Sequence, residues 1–480
     1  MTSITKADLV IIGGGPAGMA AALEANNAGV STCIIDERPT LGGQIHRQFY
    51  NGFNVYDPSQ SGREYQEGQR LISEVTKNKI EVITSATVWG IWDKQVAFVQ
   101  DGNLSRVAES KMILLATGVQ DRPFVCPGWT LPGVITAGAA KTLVKYQRIL
   151  PGKRILMAGS GPLVLAFSAQ LSALGANIVG VIEAAGAPKI RDVIGLALQV
   201  RGNEALIRDA IHYQGYLLRH QILLQYSTIL MRVEGDGAVQ RAVTARVDKD
   251  WRIIPATENV IEVDAICLGY GFLAASELSR LCGCRQMFDE NLGGHIPIRD
   301  EWLRTSVPGI LAAGDGSGVA GWQAATLEGR LAGITAALDF GKLSLHQATR
   351  RARNLRIRLR RMEQFRQILR RMYPVGQGIY EVATPETIVC RCEEVTVSEL
   401  SSVLDKGVTD PNILKGLTRA GMGRCQMRNC GSQIMAMCAS RSGIAIAQLP
   451  PITVRPPVKP VLIGTIAEDL LQLPAEIAIT

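Results

Sequence analysis

Apolar positions along this chain come first in short runs and later in a helical stripe, and their order predicts the fold. Leu9-Val10-Ile11-Ile12 reads as a buried strand and a glycine turn follows it. Residues 17–28 then read as an alanine-rich helix, and Thr32 to Ile35 as a second strand. That is a β–α–β start. A second one begins at Arg154-Ile155-Leu156-Met157-Ala158, turns through Gly159-Ser160-Gly161-Pro162 and reaches a strand at Ile178 to Ile182. Between the two, a strand ends in Ala116-Thr117-Gly118; after them, others end at Cys267-Leu268-Gly269 and at Gly314-Asp315. The expected class is α/β, with two Rossmann-like dinucleotide-binding domains.

Past residue 345 the pattern changes. Leu355, Leu359, Met362, Phe365, Leu369 and Met372 fall three or four apart, which predicts an amphipathic helix from about His346 to Met372. A small α-rich segment with cysteines occupies roughly 385–445. In it Thr396-x-x-Glu399 reads as a capping box opening a short helix, with Leu400, Val403 and Leu404 facing inward. Gly431 to Ser440 reads as a further helix. From Leu449 the tail is rich in proline and is expected to run extended.

The bulk numbers add little. With 480 residues, 47% apolar and 20% charged, the chain is long enough for two to four domains of ordinary composition. No uncharged apolar run reaches the roughly 18 residues of a membrane span. The apolar N-terminus is broken by Gly13, Gly14, Gly15 and Pro16 and reads as folded domain, not a leader. Ten cysteines without a leader point to a reducing, cytoplasmic setting and to metal use. The net charge of +8 is local: residues 346–372 hold ten arginines and one glutamate, leaving the remainder near neutral. A general nucleic-acid surface is therefore not expected.

Gly13-x-Gly15-x-x-Gly18 stands between strand and helix, where such a motif lets backbone approach a pyrophosphate. Asp36 ends the second strand, placed to accept from ribose hydroxyls, with Glu37 as fallback. Gly42-Gly43-Gln44, Ala116-Thr117-Gly118 and Gly314-Asp315 recur at separations seen in flavoproteins. They favour FAD over NAD, with Asp315 on the ribityl and phosphate side. In the second unit Val164 replaces the third small residue after Gly159-x-Gly161, and Glu183 is the matching acid. A working nucleotide site and a retired scaffold both stay open there. No Cys-x-x-Cys, Ser/His/Asp set or H-E-x-x-H appears, and Cys282-x-Cys284 reads as free thiols. No catalytic residue is nominated.

Cys390-x-Cys392 and Cys425-x4-Cys430 can converge as four thiolate ligands for a [2Fe–2S] cluster. A four-cysteine zinc site is the alternative, though its usual C-x2-C spacing is missing. Arg391, Arg424 and Arg428 stand beside the cysteines and can offset thiolate charge.

Residues 7–345 resemble the two-dinucleotide-domain flavoproteins that include thioredoxin reductase and glutathione reductase. The cysteine spacing is similar to bacterioferritin-associated ferredoxin. Together the chain resembles the FAD-bearing subunits of opine oxidases, hydroxyproline and proline dehydrogenases and hydrogen cyanide synthase. The resemblance implies an FAD domain in two parts, 1–123 and 271–345, around a NAD(P)-like domain at 124–270. It further implies an arginine-rich linker helix at 346–375, a [2Fe–2S] domain at 376–448 and an extended tail at 449–480. It adds Pro16, Ala17 and Val88 to the FAD contacts. Relatives usually carry glycine at the position of Met427. The implied function is electron transfer from an amino acid, imino acid or opine, oxidised at its C–N bond, to a respiratory acceptor.

The implied partners are a second flavoprotein subunit holding the substrate site and, in some relatives, a small ferredoxin-like subunit. FMN at a subunit contact and peripheral contact with the respiratory membrane are left open. Two rival readings stand beside this one: a self-contained NAD(P)H-dependent reductase feeding an iron–sulfur partner, and a non-catalytic scaffold. For the arginine helix, pairing with acids of the chain's own body is the plain expectation, and docking to an acidic partner the alternative.

Overall fold

A computed structural model describes residues 4–49, 63–199 and 203–470. It divides the chain into two compact units, the first comprising 1–120, 274–360 and 453–480, the second 121–273 and 361–452. The last ten residues of the tail, 471–480, lie outside the described residues.

In the first unit Glu81–Ile83, Thr32–Ile35, Ile4–Ile12 and Leu104–Leu115 lie side by side, all parallel. Leu104–Leu115 serves two arrangements. Its last residues pair in parallel with Ile310–Ala312, while its first half pairs antiparallel with Gln95–Gln100, which pairs with Ala86–Trp92. The runs Leu9–Ile12 and Met112–Leu115 are buried throughout, as expected for central strands covered on both faces. Helices Pro16–Asn27 and Trp322–Asp339 meet almost backbone to backbone: a Cβ on Gly329 would stand 2.1 Å from the Ala17 carbonyl oxygen. From Thr453 the tail belongs to this unit. Val458 is buried and donates its N–H to the Trp89 carbonyl at 2.9 Å, and Lys459 pairs with Glu37.

The second unit holds a parallel sheet in the order Leu224–Tyr226, Ile178–Glu183, Ile155–Gly159, Ala265–Gly269, Val134–Thr136. A three-stranded antiparallel sheet, Thr228–Glu234, Arg241–Arg246 and Asn259–Glu262, stands beside it in sequence. The cysteine segment shares one apolar core with this material. Phe124, Trp129, Trp251 and Tyr270 cluster with Ile379, Val382, Val389 and Cys390. The Trp129 indole donates to the Ile388 carbonyl at 2.7 Å, and Arg122 donates to the Tyr380 hydroxyl at 3.1 Å. Local periodicity gives no hint of this sharing, because its members lie more than 100 residues apart.

The capping box forms as its spacing predicts. Thr396 Oγ1 accepts from the Glu399 N–H at 3.3 Å, and Glu399 accepts from the Thr396 N–H at 2.7 Å. Its helix, Val397–Leu404, buries Leu400 and Leu404. The arginine helix spans Leu345–Met372. Of its expected apolar face, Leu355, Met362 and Phe365 are buried, and Ala348, Ala352 and Ile368 join them; Leu359, Leu369 and Met372 are only half-buried. Among the described residues no helix is long and apolar enough to cross a membrane.

Candidate functional site

The first glycine turn closes at the carboxyl ends of the parallel strands, where α/β sheets hold their ligands. A Cβ on Gly13 would stand 2.3 Å from the Ala116 carbonyl oxygen, and one on Gly18 1.9 Å from the Gly13 carbonyl oxygen. Those two glycines are demanded by the fold. Gly15 is different: its φ of −78° suits any residue, and the nearest atom to a Cβ there is Gly43 Cα at 3.8 Å. Nothing in the chain requires that glycine, so it leaves a bare backbone cradle facing Gly43.

The other motifs gather around it. Gly42 donates to the Gly14 carbonyl at 2.9 Å, and Ala116 to the Ile12 carbonyl at 2.9 Å. Thr117 donates to the Ala275 carbonyl at 2.7 Å, which ties Ala116-Thr117-Gly118 to the returning chain. Gly314 follows the strand Ile310–Ala312, and a Cβ on it would lie 2.9 Å from the Ala17 Cβ. Asp315 accepts from the N–H groups of Ala320 and Gly321, each at 2.9 Å. Pro16 and Ala17 form the first turn of the helix behind the cradle.

Asp36 is buried and accepts from the N–H groups of Gly14 at 2.5 Å and Arg38 at 2.8 Å. Burial nevertheless pushes its carboxyl above the ordinary value. Glu37 is turned to Lys459 of the tail. Gln44 accepts from Arg47 at 2.7 Å. Val88 sits in the apolar core of the sheet, opposite Phe98. Such a set fits FAD: the bare backbone at Gly15 suits a pyrophosphate, and the buried acid behind it suits a ribose.

Two features of this site carry no local signal in the sequence. Arg299 donates to Glu328 at 2.8 Å and to the Ala312 carbonyl at 2.9 Å, and Glu328 accepts from the Gly314 N–H at 2.8 Å. This mostly buried pair fixes the Gly314-Asp315 turn. Likewise the buried His46 meets the Glu64 carbonyl at 2.6 Å and packs edge-on against Trp322 at 4.9 Å. Both features join residues far apart in the chain.

The second turn, in the second unit, is closed differently. Glu183 is fully buried and accepts from the N–H groups of Gly161 and Ala185, both at 2.8 Å. Burial pushes its carboxyl up to about 7. Val164 is buried, and a Cβ on Gly159 or Gly269 would stand 2.8 or 2.9 Å from its Cγ2. The valine thus fills the space against the two strand ends. Cys282 and Cys284, in the first unit, are free; burial pushes Cys282 up to about 12, which makes it a poor nucleophile.

The four C-terminal cysteines converge. Cys430 neighbours Cys390 and Cys425, and Cys425 neighbours Cys392. Cys390 and Cys425 both stand against Cys430, so the one Cys430 proton is held tightly while its neighbours are drawn toward thiolate. Cys390 falls to about 6, through Cys430 first and then the N–H groups of Gly421, Glu393 and Cys392. The Gly421 N–H lies 3.3 Å from its sulfur. Cys425 falls to about 5, through Cys430 and then the N–H groups of Asn429 and Met427. Burial raises Cys392. Among the described residues no three or more His, Cys, Asp or Glu side chains are grouped so as to hold a metal ion; the four cysteines stand as neighbours of one another. Four soft sulfurs with N–H donors aimed at them fit an iron–sulfur cluster by their chemistry. The loop needs Gln426 and Met427 in the left-handed region, at φ +49° and +66°.

Residues 7–329 match the pyridine nucleotide-disulphide oxidoreductase family, and residues 384–469 match the sarcosine oxidase A3 domain. The chain is 33% identical over 472 residues to an opine oxidase subunit of Agrobacterium tumefaciens (strain Ach5), covering 96% of this chain and 91% of that one. It is 32% identical over 430 residues to hydrogen cyanide synthase subunit HcnB of Pseudomonas aeruginosa, covering 88% and 90%. Among solved structures, the L-proline dehydrogenase of P. horikoshii superimposes with a TM-score of 0.68 at 22% identity, covering 97% of this chain and 80% of that one, and so shares the fold.

Proposed function

From a chain that belongs to the pyridine nucleotide-disulphide oxidoreductases, and among them to the family of this opine oxidase subunit, we infer one component of a heteromeric, cytoplasmic dehydrogenase or oxidase. It is a flavin-dependent oxidoreductase acting on CH–NH groups. The finer reading is that it carries FAD and a [2Fe–2S] cluster, and that the complex oxidises an amino acid, imino acid or opine. Electrons go on to a respiratory acceptor. A second flavoprotein subunit holds the substrate site.

When bound, FAD supplies two-electron hydride chemistry and the cluster supplies one-electron chemistry. The chain's own residues bind and orient. The Gly15 and Gly43 backbones receive the pyrophosphate at the start of the helix Pro16–Asn27, whose free N–H groups favour anions. Asp36 holds the turn through Gly14 and would accept from the ribose. The Arg299–Glu328 pair fixes the backbone from which Asp315 projects. Cys390, Cys392, Cys425 and Cys430 would ligate the cluster, and the N–H groups of Gly421, Asn429 and Met427 favour their thiolates.

The observation that carries this reading is the convergence of Cys390, Cys392, Cys425 and Cys430, on the same polypeptide as a glycine cradle that its own packing leaves open. The test is to purify the chain alone and again with its partner. The lone chain should contain FAD and iron and oxidise no amino acid, and the complex should oxidise one. Amine oxidation by the lone chain would overturn the assignment.

A further inference from the structure

Nine of the ten arginines of the helix Leu345–Met372 sort into two sides, and the exposed Arg358 falls between them, beside Arg351. Arg351 pairs with Glu24 at 3.5 Å, Arg356 with Glu301 at 3.4 Å, and Arg366 and Arg370 both with Glu363 at 2.8 Å. Arg356 also stacks on Trp302 at 4.3 Å. At 3.6 residues per turn these four fall on one half of the helix. Arg350, Arg353, Arg360, Arg361 and Arg371 fall within an arc of about 100° on the other half. All five are exposed, and their side chains make no hydrogen bond or ion pair among the described residues. No acid lies in that arc over the roughly 32 Å from Arg350 to Arg371, but the buried Ile368 falls within it, so the continuous exposed stretch runs from Arg350 to Arg361 and Arg371 stands apart beyond it. Ile357 stands at its centre, 38% exposed.

The expectation that the body's own acids neutralise this helix therefore holds for Arg351 and Arg356, while Arg366 and Arg370 are paired within the helix itself. Aligned like charges on one face repel, and a helix gains nothing by concentrating them there. Arginine is suited to paired contacts with carboxylates and to protein interfaces. An exposed isoleucine amid the guanidinium groups adds apolar contact that a phosphate backbone would not use, and the arc has no Phe, Tyr or Trp for stacking bases.

We propose that this arginine face is the docking surface for an acidic, carboxylate-bearing face of the partner protein, with Ile357 as its apolar centre. The proposal rests on the reading of the chain as one component of a complex. It is tested on the assembly purified from its source, by mapping phenylglyoxal labelling of each arginine by mass spectrometry against the isolated full chain. The five should react freely in the isolated chain and drop to background in the assembly, while Arg351 and Arg356 change little. A full chain with all five changed to Gln should keep its flavin absorbance, and its partner should associate on the order of a hundredfold more slowly at low salt. Equal labelling of the five in assembly and isolated chain would overturn the docking face and leave the functional reading intact. So would an assembly that still binds a 20-mer RNA or phosphatidylglycerol vesicles through these arginines. A chain that purifies from its source alone, and is active alone, would overturn both.

Discussion

Replacing Gly15 by alanine separates a glycine kept for a ligand from one kept for the fold. The position has φ −78° and ψ −171°, which alanine adopts freely, and its Cβ would meet only Gly43 Cα at 3.8 Å. Without cofactor the variant should therefore fold, and gain about 0.4–1 kcal/mol from the lower entropy of its unfolded chain. Its methyl group, however, would stand on the open side of the cradle. Losing one or two charge-assisted N–H contacts to a pyrophosphate costs about 2–4 kcal/mol, a drop of roughly 30- to 1,000-fold in affinity. Thermal melts of the FAD-free protein and a fluorescence titration with FAD measure both quantities. A variant that keeps FAD affinity within about threefold of the parent would refute the cradle.

Gly18→Ala should behave in the opposite way: a Cβ 1.9 Å from the Gly13 carbonyl oxygen forces backbone movement, lowering stability by about 1–3 kcal/mol in melts with or without FAD. Cys430→Ser should abolish iron binding and leave flavin absorbance in place, whereas Cys438→Ser, at a buried thiol outside the set, should keep both; iron assays on the two decide it. Glu183 gives a pH test. Its folded-state value of about 7 exceeds the ordinary 4.5, so its share of stability, about 3 kcal/mol, is full below 4.5 and is lost as pH rises through 7. Glu183→Gln should flatten that window in melts, and a constant offset between the two proteins across it would refute the assignment. Met427→Gly would relieve a left-handed residue by about 1–2 kcal/mol but empty a buried site worth about 2–5, so a net loss of thermal stability is expected, and a gain would mean backbone strain dominates.

Much of the fold can be read from local pattern. The β–α–β starts, the capping box at Thr396 and the arginine helix each depend on residues within a few turns of one another, where periodicity and cap chemistry act. The glycine turn was legible for the same reason, since strand, turn and helix occupy one short segment. What the sequence hides is pairing across distance. Arg299 and Glu328 look like ordinary surface charges until the strand Ile310–Ala312 brings them to Gly314. The apolar residues of the cysteine segment look like the core of a separate domain, yet they pack with Trp129 and Trp251. Val164 marked a departure from the nucleotide motif, but only the packing shows that it fills the space between Gly159 and Gly269.

The most direct test is a flavin and metal analysis of the chain purified anaerobically on its own. About one FAD and two irons per chain, with acid-labile sulfide, is the predicted result. One zinc per chain without iron, or a chain that takes up iron but no flavin, would contradict the account.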